Sequence, residues 1–189
     1  MQYSDLIGSI VAGAWLVFIA VWLVSALFAK KYAKRAGGRF IAFRLIFAVL
    51  VILAIRYYGH NASFILWHIA NPAVRWTGAA LVILGVALAF WARYHLGRNW
   101  GQPMSVKEGA ELVTSGPYAY IRNPIYSAIP VALIGSAMVY GLLFLFALVL
   151  YIAYFIPSVF VEEKIMLRLF PDKYPEYKAR TKRLIPWVW

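Results

Sequence analysis

Ile125 to Val161 reads IYSAIPVALIGSAMVYGLLFLFALVLYIAYFIPSVFV, without one charged residue. A helix needs about 20 apolar residues to cross the hydrocarbon core of a bilayer. The run is too long for one span and suits two. Gly141 falls near its middle, where a tight hairpin can turn, and leaves two halves each somewhat short for a span. Working outward, Leu6 to Ala29, Phe40 to Tyr58 and Val74 to Trp91 are further apolar runs. Arg44 and Arg56 lie near the two ends of the second, where long side chains snorkel to the interface. The expected fold is an all-α integral membrane protein with five transmembrane helices.

Composition agrees. The chain has 189 residues, 63% hydrophobic and only 14% charged, with a mean hydropathy of +0.72. A soluble domain carries about 25% charged residues, so a disordered chain is excluded and an ordinary soluble enzyme disfavoured. The length fits a single domain over residues 1–189. The formal charge is nevertheless +12, from 19 Lys and Arg against 7 Asp and Glu. On a soluble protein that excess suggests nucleic acid. On an apolar chain it reads as loops facing anionic lipid, so the expected partner is the bilayer and not nucleic acid. There is no Cys, hence no disulfide framework and no thiolate nucleophile.

The positive charges give an orientation. Lys30, Lys31, Lys34, Arg35 and Arg39 fall between spans one and two, and Arg93, Arg98, Lys107 and Arg122 between three and four. Lys164, Arg168, Lys173, Lys178, Arg180, Lys182 and Arg183 follow span five. All lie on one side of a five-span arrangement, with Arg75 the clearest exception. The positive-inside rule then puts the N-terminus outside and the C-terminus in the cytoplasm. The segment before Leu6 has no Lys or Arg and carries Asp5, so the positive region of a cleaved signal peptide is missing.

Every acid except Asp5 falls on the same side, so the polar chemistry gathers in residues 93–126 and 158–186. The first segment, RYHLGRNWGQPMSVKEGAELVTSGPYAYIRNPIY, holds Gly97, Gly101, Pro103, Gly109, Gly116, Pro117 and Pro124 and cannot be one helix. Irregular backbone beside a membrane needs partners in protein, water or ligand. Such a loop suits a polar ligand with an aromatic base; a solvated connector is the alternative. The second segment opens with Glu162 and Glu163 at the membrane boundary. Helical neighbours point about 100° apart, so at most one of them faces a given pocket. The tail FPDKYPEYKARTKRLIPW is broken by Pro171 and Pro175, and Tyr174 and Tyr177 fall three apart on one face. It reads equally as an amphipathic tail lying on anionic lipid. His60, His68 and His95 are scattered without metal-ligand spacing, and there is no Walker loop and no GxGxxG.

Four pieces occur in order: LGRNW at 96–100, LVTSGPYAYIRNPIY at 112–126, EE at 162–163 and YPEYKARTKRLIP at 174–186. Together they resemble the isoprenylcysteine carboxyl methyltransferase family, part of a wider group with phospholipid N-methyltransferases and bacterial thiol methyltransferases. The match runs from about Arg93 to Pro186. It implies that residues 93–189, with spans four and five, form the cofactor-binding and catalytic half, and residues 1–92 the first three spans. It implies S-adenosyl-L-methionine as methyl donor, in a pocket made by the cytoplasmic loop and the C-terminal tail. By resemblance, Glu111, Leu112, Val113, Tyr118, Asn123, Pro124 and Tyr126 line that pocket, together with Gln102. Glu162 is the catalytic candidate, with Arg122 holding a carboxylate of donor or substrate. Ser158 and Glu163 are candidates on the substrate side.

The chain departs from the pattern twice. Asn123 stands where the family has His, and it carries no titrating charge. Ser158, four before Glu162, stands where isoprenylcysteine enzymes have an Arg thought to hold the substrate carboxylate. The resemblance implies methyl transfer to a lipophilic acceptor at the cytoplasmic membrane face, with an isoprenylcysteine carboxyl methyltransferase-like protein as the leading reading. A phospholipid amine or a thiol acceptor is the alternative, and outside enzymes, a lipid-binding bundle that kept the fold.

Overall fold

The computed structural model describes residues 2–34 and 71–189. The expected second span, with Arg44, Arg56, His60 and His68, lies outside the described residues. The described chain is mostly helical. Helix α1 covers Gln2–Leu27, α2 Pro72–Leu96, α3 Pro124–Tyr140, α4 Leu142–Leu169 and α5 Lys173–Arg180. Two short strands, β1 (Tyr32–Lys34) and β2 (Val106–Lys107), pair antiparallel. Among the described residues, three stretches are long and apolar enough to cross a membrane: Leu6–Leu27, Pro72–Asn99 and Leu142–Leu169. The expected break at Gly141 is present, with φ 94°, a backbone that suits glycine. The expectation of two short halves holds only for α3, with 17 residues. Helix α4 has 28 and continues past Val161 to Leu169, so both Glu162 and Glu163 are helical.

Local sequence accounts for the boundaries. Asn71 caps α2 by accepting the Ala73 N–H at 2.9 Å, and Pro72 takes the first helical position, where no N–H is needed. Pro124 does the same for α3. Gly97 ends α2 with φ 53°.

In lipid, helices associate through close packing of small residues and a few interhelical hydrogen bonds, not through apolar burial alone. The α2–α3 seam is built this way. A Cβ placed on Gly78 would fall 2.7 Å from the Gly135 carbonyl oxygen, and one on Gly85 2.7 Å from that of Ala128. Helix α1 is tied to this pair at both ends. Near its start, the Tyr140 hydroxyl donates to the Gly8 carbonyl at 2.6 Å, and Trp15 Nε1 donates to Ser136 Oγ at 2.9 Å. Near its end, Arg93 donates to the Ser25 carbonyl at 2.9 Å. Ile7 and Val11 of α1 are buried against Ala79 and Val82 of α2, and Trp22 packs beside Ala92. Helices α1 and α2 therefore run in the same direction, and α3 runs against them.

Overpacking a closed seam costs about 1–3 kcal/mol, and more where backbone must move. Gly85→Leu is expected to lower the thermal unfolding midpoint of the purified protein by several degrees. Gly13→Ala, where an added Cβ meets nothing within 4 Å, should leave it unchanged. Equal midpoints for wild type and Gly85→Leu would contradict a seam held by backbone approach.

Candidate active site

The loop from Gly97 to Asn123 closes the charged end of the bundle, and its course is fixed by contacts distant in sequence. The Lys30 ammonium donates to Asn99 Oδ1 at 2.9 Å and to the Gly109 carbonyl at 2.6 Å. Lys107 donates to the Lys30 carbonyl at 2.7 Å and lies 3.4 Å above the Tyr32 ring. The Gln102 N–H donates to the Tyr32 hydroxyl at 3.0 Å. Gly116 opens a short 3₁₀ turn, Gly116–Ala119, with φ 59°; a side chain there would run into the His95 ring. That turn buries Tyr118 beneath the loop.

Between this loop, α3, α4 and α5 lies a cavity of about 310 Å³. Of the residues singled out in the sequence, Gln102, Glu111, Leu112, Val113, Tyr118, Arg122, Asn123, Tyr126, Glu162 and Glu163 all line it. Two do not. Pro124 begins α3 beside the wall. Ser158 is buried, and its hydroxyl donates to the Tyr154 carbonyl of its own helix at 2.7 Å.

The two adjacent carboxylates have different partners. Glu162 Oε1 accepts the Met104 N–H at 2.9 Å and the Tyr126 hydroxyl at 2.8 Å. Met104 holds φ 60°, a strained conformation for a residue with a side chain, and its amide is the one aimed at Glu162. Glu163 faces a cluster of cations. Arg122 reaches its Oε1 at 2.7 Å, Arg183 binds both of its oxygens at 2.9 and 3.0 Å, and Lys178 lies 3.5 Å away. Arg122 also donates to the Lys178 and Thr181 carbonyls. The guanidinium expected to hold a ligand carboxylate is paired with Glu163 and two tail carbonyls. Asn123 is engaged too, donating to the Arg183 carbonyl at 3.1 Å. Glu111 stands at the rim, with its side chain 72% exposed. Hydrogen bonds from Asn99 and Lys30 hold its carboxyl below the usual range.

The tail helix α5 turns its two tyrosines into the protein. Tyr174 and Tyr177 are each only 3% exposed and form part of the cavity wall. The Tyr177 hydroxyl donates to the Tyr118 carbonyl at 2.8 Å. Burial pushes the Tyr174 phenol up to about 12 and those of Tyr118 and Tyr177 further. All three stay neutral at ordinary pH. The three-residue spacing of Tyr174 and Tyr177 was the available signal. Trp100, Lys107 and Phe155 also line the cavity without having been singled out. Trp100 sits inside the LGRNW piece, whereas nothing local marks Lys107 or Phe155. Among the described residues no cluster of His, Cys, Asp or Glu suits a metal ion.

An aromatic cavity at the charged end of an apolar bundle, with one carboxylate oriented by two donors, suits a cationic ligand with a flat apolar part. The family model for phospholipid methyltransferases matches residues 73–173, which run from α2 through α4 and include the whole loop. The chain belongs to the phospholipid methyltransferase family. It is 26% identical to methanethiol S-methyltransferase 1 of Bradyrhizobium diazoefficiens, over 87% of this chain and 65% of the relative. It is 30% identical to the protein-S-isoprenylcysteine O-methyltransferase of Schizosaccharomyces pombe, over 56% of this chain and 46% of the relative. It is 31% identical to the cobalt-zinc-cadmium resistance protein CzcN of Cupriavidus metallidurans, over 66% and 59%. The chain spans less than two thirds of the length of each of these relatives.

Removing one partner of a buried ion pair costs about 3–5 kcal/mol, whereas an exposed pair is worth about 1 or less. Arg122 and Glu163 side chains are 7% and 6% exposed, and Lys178 is 40% exposed. Arg122→Ala is expected to destabilise the protein strongly and Lys178→Ala by less than about 1 kcal/mol. Denaturant titration in detergent checks the order; equal losses would contradict it.

Proposed function

We propose that this chain is an S-adenosyl-L-methionine-dependent methyltransferase acting on a lipophilic acceptor that reaches the cavity from the bilayer. The observation that carries this reading is Glu162: its Oε1 is fixed by Met104 and Tyr126, and Oε2 has no hydrogen bond among the described residues, in a cavity walled by aromatic rings. The volume lies in the range of small-molecule sites, about 300–1,000 Å³. When bound, the donor supplies an electrophilic methyl group on a positively charged sulfur. Glu162 offers that positive charge a carboxylate, and the rings of Trp100, Tyr118 and Tyr126 offer faces to a flat base or a cation. Tyr174 and Tyr177 cover the cavity and keep water from it.

The same arrangement bears on the acceptor. Arg122 is held by Glu163, and Ser158 brings no charge. Among the described residues, those that line the cavity from α4 include no cation for an anionic carboxylate of the isoprenylcysteine type, and burying it unpaired costs several kcal/mol. A thiol or amine acceptor needs no such partner, and Glu162 can take its proton. The methanethiol enzyme, the relative above with the fullest coverage of this chain, agrees with a thiol.

The five-span arrangement, with the N-terminus outside and the tail cytoplasmic, belongs to this proposal. Its support is the parallel course of α1 and α2 and the charge asymmetry. The chain has no Cys, so single cysteines report cleanly. Cysteines at the exposed Glu108 and Lys182 are expected to label from the cytoplasm and one at Asn71 from outside. Asn71 labelling from the cytoplasm would overturn the orientation.

Purified wild type is expected to bind S-adenosylhomocysteine by calorimetry and to transfer a labelled methyl group to a membrane-extractable product. Glu162→Gln keeps an acceptor for Met104 and Tyr126 but loses the charge. It should fold normally and lose turnover by roughly 100-fold, the scale of one electrostatic stabiliser. Folded wild type that binds no S-adenosylhomocysteine would leave a lipid-binding bundle as the better account.

A further inference from the structure

Among the described residues, two cationic side chains line the cavity, Arg122 and Lys107. They differ in what holds them. Arg122 gives its guanidinium nitrogens to Glu163 and to the Lys178 and Thr181 carbonyls. Lys107 is only 6% exposed, yet no carboxylate among the described residues pairs with it. Residues 35–70, outside the described ones, contain no Asp or Glu to supply one. Its ammonium donates to the Lys30 carbonyl at 2.7 Å and lies over the Tyr32 ring. An ammonium has three donors, so one remains beyond the carbonyl and the ring.

The lysine is placed by its surroundings. It stands on β2, with Tyr32 of β1 as its partner in register. Its stem lies against Gly101, where an added Cβ would fall 2.6 Å from Lys107 Cε. Gly101 and Ser105 line the cavity beside it. Met104, three residues before Lys107, is the residue whose amide orients Glu162. Three residues of chain span at most about 11 Å, so one short segment carries both the amide that fixes the carboxylate and a cation.

A buried charge without a counter-charge is costly, and a methionine would fill the same space without that cost. S-adenosyl-L-methionine carries a sulfonium, an ammonium and one carboxylate. Glu162 answers positive charge; the carboxylate needs a cation that the protein has not already paired. We infer that Lys107 binds the carboxylate of the donor's amino-acid part. This rests on the methyl-transfer reading above and gives the donor a direction in the cavity. Lys107 holds the carboxylate on the β2 side, and Glu162 meets the positive sulfur.

The test compares wild type, Lys107→Met and Gly101→Ala as full chains in detergent. Calorimetry uses two probes, S-adenosylhomocysteine and its decarboxylated form, which differ in the carboxylate alone. Wild type is expected to favour S-adenosylhomocysteine roughly 10- to 100-fold, the scale of one charge-assisted hydrogen bond. Lys107→Met should bind the two probes nearly equally, by losing affinity for S-adenosylhomocysteine only. Gly101→Ala keeps the charge but displaces the stem, and should narrow the preference partway; it carries the test if Lys107→Met does not fold. Wild type without a preference would overturn the inference. So would a folded Lys107→Met that keeps the preference, or one that weakens both probes alike, the sign of a structural role. An acceptor carboxylate is the other source of this chemistry. Lys107→Met that keeps the donor preference and raises the KM for mercaptoundecanoic acid but not for undecanethiol would overturn the donor assignment in its favour. Wild type that binds neither probe would overturn the methyl-transfer reading itself, and the inference with it.

Discussion

Glu163 sits near the end of α4 and gathers Arg122 from the loop before α3, Lys178 from α5 and Arg183 from the tail. Two segments far apart in sequence, the loop and the tail, meet on one carboxylate. Arg122 then extends the contact through the Lys178 and Thr181 carbonyls, and the backbone of residues 120–122 pairs with Lys182. Without this pairing neither the loop nor the tail has enough regular structure to hold its place. Buried ion clusters are costly to form and more costly to break. Their worth here lies in specifying a register for irregular chain at the edge of a membrane, where loose polar backbone has no cheap alternative. The cavity exists because both walls are pinned to the same helix end.

The sequence made the helices legible because their signals are local. Apolar length marked the spans and Gly141 the hairpin. The site was partly legible because four short pieces carried it, and those pieces converge on one cavity. What remained hidden depends on pairings across long separations. Nothing near Arg122 announces that its partner is Glu163, so it reads as a free cation. The apolar run stops at Val161, where charge marks a membrane boundary, whereas the 28-residue α4 runs on to Leu169 and uses Glu163 as an anchor. The tail was open to a lipid-surface reading because an amphipathic helix looks the same whether its apolar face meets lipid or protein. Strands of two or three residues, such as β1 and β2, carry no periodicity to read.

The seam between α2 and α3 supplies the rigidity that such pinning needs. Gly78, Gly85 and Gly135 let backbones meet directly, so the two helices have little freedom to slide. Asn123 and Tyr126 at the start of α3 are thereby fixed relative to the end of α2, where Trp100 and the loop begin. A site built from irregular loop would ordinarily be loose. Here the loop is short of freedom at both ends, and its middle is tied through β2 to the segment after α1.

Two carboxylates at adjacent positions ordinarily oppose each other's ionisation when both are removed from water. The arrangement resolves that conflict by asymmetry. Glu163 is surrounded by three cations, so its charge is answered within the protein. Glu162 receives only neutral donors, an amide and a phenol. Its negative charge is oriented but not cancelled. A neutral ligand would leave it so, and an anionic one would raise the cost further. A cation relieves it, and more strongly because the surrounding rings exclude water and lower the local dielectric. The charge of Glu163 is thus answered inside the protein, and Glu162, held only by an amide and a phenol, is the carboxylate left to meet a ligand.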